Sequence, residues 1–266
     1  MTVPAGPPGP PPAGGLPSAA HTEPAMGTVF SFTVVPGGLP GAATAAAIAR
    51  ACRVLHDCDA VFSTWDAASP VSRFRRGEAA LSQMPPEFGA VLAECRAARQ
   101  ASGGWFDPWA MPGGFDPTGL VKGWAADRAL AELRRAGVAG ALLNGGGDVV
   151  AFGSPGPGQR WRVGIRHPWR ADALACIIEI DAAVATSGGY ERGPHLIDPG
   201  TGLPAGRAAS ATVTGPRLAL ADALATAVAV GGDEALAAVA RLDGYAGYLI
   251  RPDGSETDTG GIAFAR

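Results

Sequence analysis

What most constrains the fold is the order in which strand-like and helix-like segments follow one another. Thr28 to Val35 (TVFSFTVV) is β-branched and aromatic and is stopped by Pro36-Gly37-Gly38, which predicts a strand and a turn. From about Ala42 to Phe62, the side chains of Ala47, Ala51, Val54, Leu55, Cys58, Val61 and Phe62 recur at helical spacing, predicting a long amphipathic helix. A Ser- and Pro-rich loop fills 62–74, and a second helix runs from about Pro86 to Ser102, ended by Gly103 and Gly104. Four strand-like runs then come in succession: Gly140 to Leu143, Val149 to Phe152, Trp161 to Ile165 and Cys176 to Ile180. A short strand at Thr212 to Thr214 precedes two helices, Leu218 to Val230 and Glu234 to Leu242, and a strand at Tyr245 to Arg251, after which TGGIAF is placed to close a sheet. A doubly wound sheet needs a helical crossover between its parallel strands, and too few helices intervene here. The expected class is α+β with mostly antiparallel sheets and packed helices.

The segment WFDPWAMPGGFDPTGLVKG is too dense in Gly, Pro, Asp and aromatics for a regular element, so it is expected to be a structured loop entering a helix at Ala125 to Ala136, capped by Gly137. The N-terminal residues 1–19 form a Pro/Gly-rich tail with no basic or apolar leader pattern, and 20–266 are expected to be one domain. With 47% apolar and 17% charged residues the chain can bury a sizeable core. No uninterrupted run of 18 apolar residues occurs, so no transmembrane helix is expected. A net charge of −3 provides no basic footprint for nucleic acid or an anionic bilayer. Cys52, Cys58, Cys95 and Cys176 show no paired metal spacing and are expected to be free thiols, consistent with a cytoplasmic setting.

Four places could carry chemistry. Asp222 and Thr226, in Ala-Asp-Ala-Leu-Ala-Thr, project from one face of an apolar helix one turn apart. That pair suits a hard cation such as Mg²⁺, or equally an Asp near a helix start with a Thr bonding back to the preceding turn. Asp116-Pro-Thr-Gly-Leu-Val-Lys122 sets an acid, an approachable backbone at Gly119 and the chain's single lysine at the mouth of a helix, where anions are favoured. A compact ammonium among 20 arginines can hold a phosphate or a carboxylate. Asn144-Gly-Gly-Gly-Asp148 lacks dinucleotide-fingerprint spacing and reads as a tight strand connection. His195 precedes the turn-rich Leu-Ile-Asp-Pro-Gly-Thr-Gly, where an imidazole is either a general base or a structural loop histidine.

Taken in order, these segments resemble the ApbE family of FAD:protein FMN transferases. The matching stretches are Ala25 to Thr28, Phe62 to Trp65 with Ser69 to Phe74, Gly104 to Pro108, Asp116 to Asp127, Asn144 to Asp148, Trp161 to Pro168, Ala185 to Gly188, His195 to Pro199 with Thr201-Gly202, and Ala221 to Thr226. The resemblance implies a mostly antiparallel α+β fold that binds FAD and, with Mg²⁺, transfers FMN to a threonine of an acceptor flavoprotein, releasing AMP. It implies flavin-nucleotide contacts from Met26, Trp65, Trp105, Phe106, Asp107, Asp116, Lys122 and Ile197. It also implies metal binding by Gly119 through its carbonyl with Asp222 and Thr226, and a catalytic His195. Only eight residues separate Asp107 from Asp116, where longer members carry an insertion, so part of the cleft wall is expected to be shortened. An FAD pyrophosphatase, with water in place of the threonine, and a non-catalytic flavin carrier are the competing readings.

Overall fold

The computed structural model describes residues 18–189 and 196–265. Among these, ten strands occur: β1 (Ala19–Ala25), β2 (Thr28–Val35), β3 (Gly140–Gly145), β4 (Asp148–Phe152), β5 (Trp161–His167), β6 (Arg170–Ile180), β7 (Ala183–Ser187), β8 (Ser210–Gly215), β9 (Ala246–Ile250) and β10 (Glu256–Asp258). The α-helices are α1 (Gly41–Phe62), α2 (Pro70–Arg75), α3 (Pro86–Ala101), α4 (Thr118–Arg135), α5 (Leu218–Gly231) and α6 (Asp233–Val239). Eight strands form one sheet in the order β1-β2-β3-β4-β7-β8-β9-β10, every neighbouring pair antiparallel, and β5 and β6 form a separate hairpin. The α+β expectation holds in this form, with the α-helices given above inserted four between β2 and β3 and two between β8 and β9 among the described residues.

Strand alternation sends side chains to two cores. Phe30, Phe32 and Val34 of β2, Ala141 and Leu143 of β3, and Ala211 and Val213 of β8 pack in the large core with the helices. Val35, Val149, Ala151 and Val184 face the other way and pack with Trp161, Ile165, Ile178 and Ile180 of the β5–β6 hairpin. Strand β4 is buried along its whole length because both of its faces are covered. Two tight hairpins set the register. Met26-Gly27 joins β1 to β2 with both residues at positive φ, 53° and 70°, and Gly146-Gly147 joins β3 to β4 at 67° and 105°.

Several elements differ from the sequence expectation, among them strands β7 and β10, which no strand-like run announced. Strand β1 (AAHTEPA) carries His, Glu and Pro and little β propensity, and it forms because it pairs along β2 at the sheet edge. Ser69, whose Oγ accepts from Ser72 N–H at 3.1 Å, caps a short helix inside the loop assigned to 62–74. Helix α4 begins at Thr118 rather than Ala125, so Gly119 and Gly123 lie inside it. Gly123 marks a close helix crossing: a Cβ there would sit 2.6 Å from the carbonyl oxygen of Leu218, the first residue of α5. One turn on, Asp127 accepts the Leu218 and Ala219 N–H groups, each at 3.0 Å, and so caps α5 from the neighbouring helix. Burial pushes the Asp127 carboxyl above its ordinary value, against the lowering effect of those two amides.

Candidate active site

The α4–α5 crossing brings the mouth of α4 against the polar face of α5. Gly119, on the first turn of α4, would place a Cβ 3.2 Å from Phe106 Cε2 and 3.4 Å from Thr226 Oγ1, so the glycine keeps open a space that any side chain would occupy. Thr226 Oγ1 lies 3.4 Å from Ser187 Oγ at the end of β7, and Asp222, 4% exposed, stands one turn earlier on α5. Among the described residues, the Asp222 carboxylate and the Thr226 and Ser187 hydroxyls come to this end of the cleft, oxygen donors of the kind Mg²⁺ takes.

The wall beside it is built from charge pairs. Lys122 Nζ meets Asp148 Oδ2, and the other carboxylate oxygen accepts the Thr186 N–H of β7 at 3.0 Å. Asp148 is 3% exposed at the start of β4, immediately after the glycine turn, while the lysine retains an exposed edge toward the cleft. Around the 107–116 loop, Arg75 reaches Asp116 at 3.3 Å and Arg99 reaches Asp107 at 2.6 Å. Arg75 also donates to the carbonyls of Pro112 and Gly113, so the few residues between the two acids are tied to α2. Trp105 lies under the Arg207 guanidinium at 4.8 Å.

One cleft unites these groups. Of the twelve candidate residues, Trp105, Phe106, Asp107, Asp116, Lys122, Ile197, Gly119, Asp222 and Thr226 line it. Met26 and Trp65 stand outside that lining: Met26 is at the β1–β2 turn, its N–H bonded to Asp59 Oδ2 at 2.9 Å, and Trp65 is 94% exposed. His195 lies outside the described residues. The cleft also takes in Asp148, Thr186, Ser187 and Leu196, which the motif reading gave no individual role. Asp148 was the one with a legible signal, an acid between a glycine turn and an apolar strand in a chain with one lysine to match it.

A family model described as the ApbE family matches residues 26–113 and 113–249. The chain belongs to the ApbE family. Among its curated relatives, the FAD:protein FMN transferase of Rhodobacter capsulatus is 38% identical over 151 residues, 53% of this chain and 29% of that protein. The FAD:protein FMN transferase of Escherichia coli strain K12 is 33% identical over 155 residues, 54% of this chain and 44% of that protein. The matched region thus spans less than half the length of these relatives. Among solved structures, the flavin transferase ApbE from Vibrio cholerae superposes with a TM-score of 0.77 at 21% identity, covering 93% of this chain and 98% of that one. The apo form of the Pseudomonas stutzeri flavinyl transferase ApbE gives 0.79 at 24% identity, covering 93% and 96%. The ApbE fold is therefore common to all three. Among the described residues of this ApbE chain no helix is long and apolar enough to cross a membrane.

Proposed function

We propose that the chain transfers FMN from FAD to a threonine hydroxyl of an acceptor flavoprotein, releasing AMP, in a Mg²⁺-dependent reaction. The observation that carries this reading is the convergence of nine motif residues, scattered from Trp105 to Thr226, on one cleft in an ApbE-family fold. Trp105 and Phe106 offer aromatic surface for a flavin, and Ile197 adds apolar surface to the same cleft. The Arg99, Arg75 and Lys122 cations offset Asp107, Asp116 and Asp148, so a pyrophosphate can enter a cleft rich in carboxylates without facing uncompensated negative charge. Asp222, Thr226 and the Gly119 carbonyl would hold Mg²⁺, which when bound supplies charge neutralisation at the pyrophosphate oxygens. The threonine oxygen attacks the FMN-side phosphorus, the phosphoanhydride bond breaks toward AMP, and His195 takes the hydroxyl proton. A free hydroxyl is a poor nucleophile near neutral pH, which is why a base is assigned. The domain is taken as 20–266, and the four unpaired thiols favour the cytoplasm.

The test is incubation with FAD, Mg²⁺ and flavoproteins from the same source, followed by mass analysis for FMN on threonine. Asp222→Ala is expected to abolish metal-dependent turnover in a folded chain. His195→Asn is expected to lower the rate by about 10² to 10⁴. Free FMN and AMP without any adduct would replace the transferase with a pyrophosphatase, and FAD binding without either product would leave a carrier.

A further inference from the structure

Away from the cleft, a second set of side chains able to ligate a metal comes together between the edge strand β1 and α1. His21 and Glu23 lie two apart on β1 and so share one face of the strand. Cys52 and His56 lie four apart on α1 and share one face of the helix. The Glu23 carboxylate is the meeting point. His21 Nε2 is 3.0 Å from Oε2, His56 Nε2 is 2.7 Å from Oε1, and the Cys52 sulfur lies within 4.8 Å of the same carboxylate. The ligand atoms of His21, Glu23 and Cys52 all lie within 4.8 Å of one another, the only such convergence of three His, Cys, Asp or Glu residues among those described. Around a tetrahedral zinc, with bonds of about 2.0–2.3 Å, ligand atoms stand roughly 3.3–3.8 Å apart, so small rotations bring His21, Glu23 and Cys52 onto an ion, while His56, which stands outside that trio and meets it at Glu23 Oε1, turns further to complete the four.

We propose that His21, Glu23, Cys52 and His56 form a four-ligand zinc site that pins the edge strand β1 to α1. Two imidazoles, a thiolate and a carboxylate suit zinc, whereas the all-oxygen set at Asp222 suits magnesium. Thiolate and carboxylate together balance the two charges of the ion, as a half-buried site requires. Binding displaces the thiol proton of Cys52 to solvent and leaves the sulfur bonded to the metal. All four residues line a groove of about 630 Å³ that opens between β1 and α1, which provides an entry path. With four protein ligands the site is closed and structural. Without the ion, the hydrogen bonds centred on Glu23 and the packing of Ala19 and Ala25 join β1 to α1.

The full chain, stripped with a chelator and then dialysed against Zn²⁺ in excess Mg²⁺, is expected to retain one zinc per chain. The Co²⁺-substituted form is expected to show thiolate-to-metal charge-transfer absorption in the near ultraviolet, which an oxygen-only site cannot produce. Cys52→Ser should remove that band, and His21→Asn and His56→Asn should each weaken zinc binding at least about tenfold. Absence of the band, or parent-like zinc affinity in folded Cys52→Ser, overturns the proposal and leaves a hydrogen-bonded cluster. Should Cys52→Ser fail to fold, His56→Asn decides, because His56 is exposed on the helix surface and unchanged zinc affinity there overturns the four-ligand site. None of these readouts depends on FMN transfer.

Discussion

Gly123→Ala is the substitution that most directly tests how the cleft is built. An alanine Cβ would lie 2.6 Å from the Leu218 oxygen, 2.8 Å from its carbonyl carbon and 2.9 Å from Ala219 N. All three are backbone atoms of α5, so no side chain can swing away. Reaching ordinary contact at 3.4 Å requires the two helices to part by about 0.8 Å. Alanine gains about 1 kcal/mol of helix propensity. Against this stand an overpacking cost of about 1–3 kcal/mol and about 1 kcal/mol for weakening the Asp127 bonds to Leu218 and Ala219. The expected net loss is about 1–3 kcal/mol, a fall in Tm of roughly 2–12 °C for a chain of this size. Turnover should suffer more, because Gly119 and Lys122 ride on α4 while Asp222 and Thr226 ride on α5. A displacement near 1 Å between reacting groups costs on the order of 100-fold. Thermal unfolding and FMN transfer measured on the same preparation check both. An unchanged or raised Tm with parent turnover would show that the helix spacing is not set by this glycine, and the account of the cleft would fall.

Lys122→Arg should lower FAD affinity or turnover by at least about tenfold, since a planar guanidinium cannot replace a compact ammonium against the buried Asp148; equal FAD titrations and rates would refute this. Burial pushes the Cys58 and Cys95 thiols up to about 12, against about 8.5 in an unfolded chain. The folded state therefore keeps protons that the unfolded chain sheds, so the stability these groups contribute is complete below about pH 8.5 and is lost as pH rises toward 12. At pH 8 both should react with a thiol reagent only as fast as the chain unfolds, and rapid labelling of either in the native protein would contradict their burial.

The sequence by itself determined the elements whose pattern is local. Phe30, Phe32 and Val34 alternate along β2, and Ala47, Ala51, Leu55, Cys58 and Phe62 follow one face of α1, because each periodicity reflects one buried surface. The order of short strands also sufficed for an antiparallel α+β class, and the motifs for nine of the residues that line the cleft. The start of α4 was hidden, since Gly119 and Gly123 weigh against a helix by propensity. Only the proximity of Phe106, Thr226 and Leu218, distant in sequence, explains why those positions admit no side chain. The pairing of Lys122 with Asp148 likewise needs β4 laid beside α4, 26 residues apart in the chain. The cysteines and histidines make the same point most sharply. Cys52 and His56 have no metal spacing with any other cysteine, and His21 sits in a segment that does not read as a strand. They meet Glu23 only because β1 pairs with β2 and α1 packs against that edge, and ligand sets assembled from two elements leave no signature in either one alone.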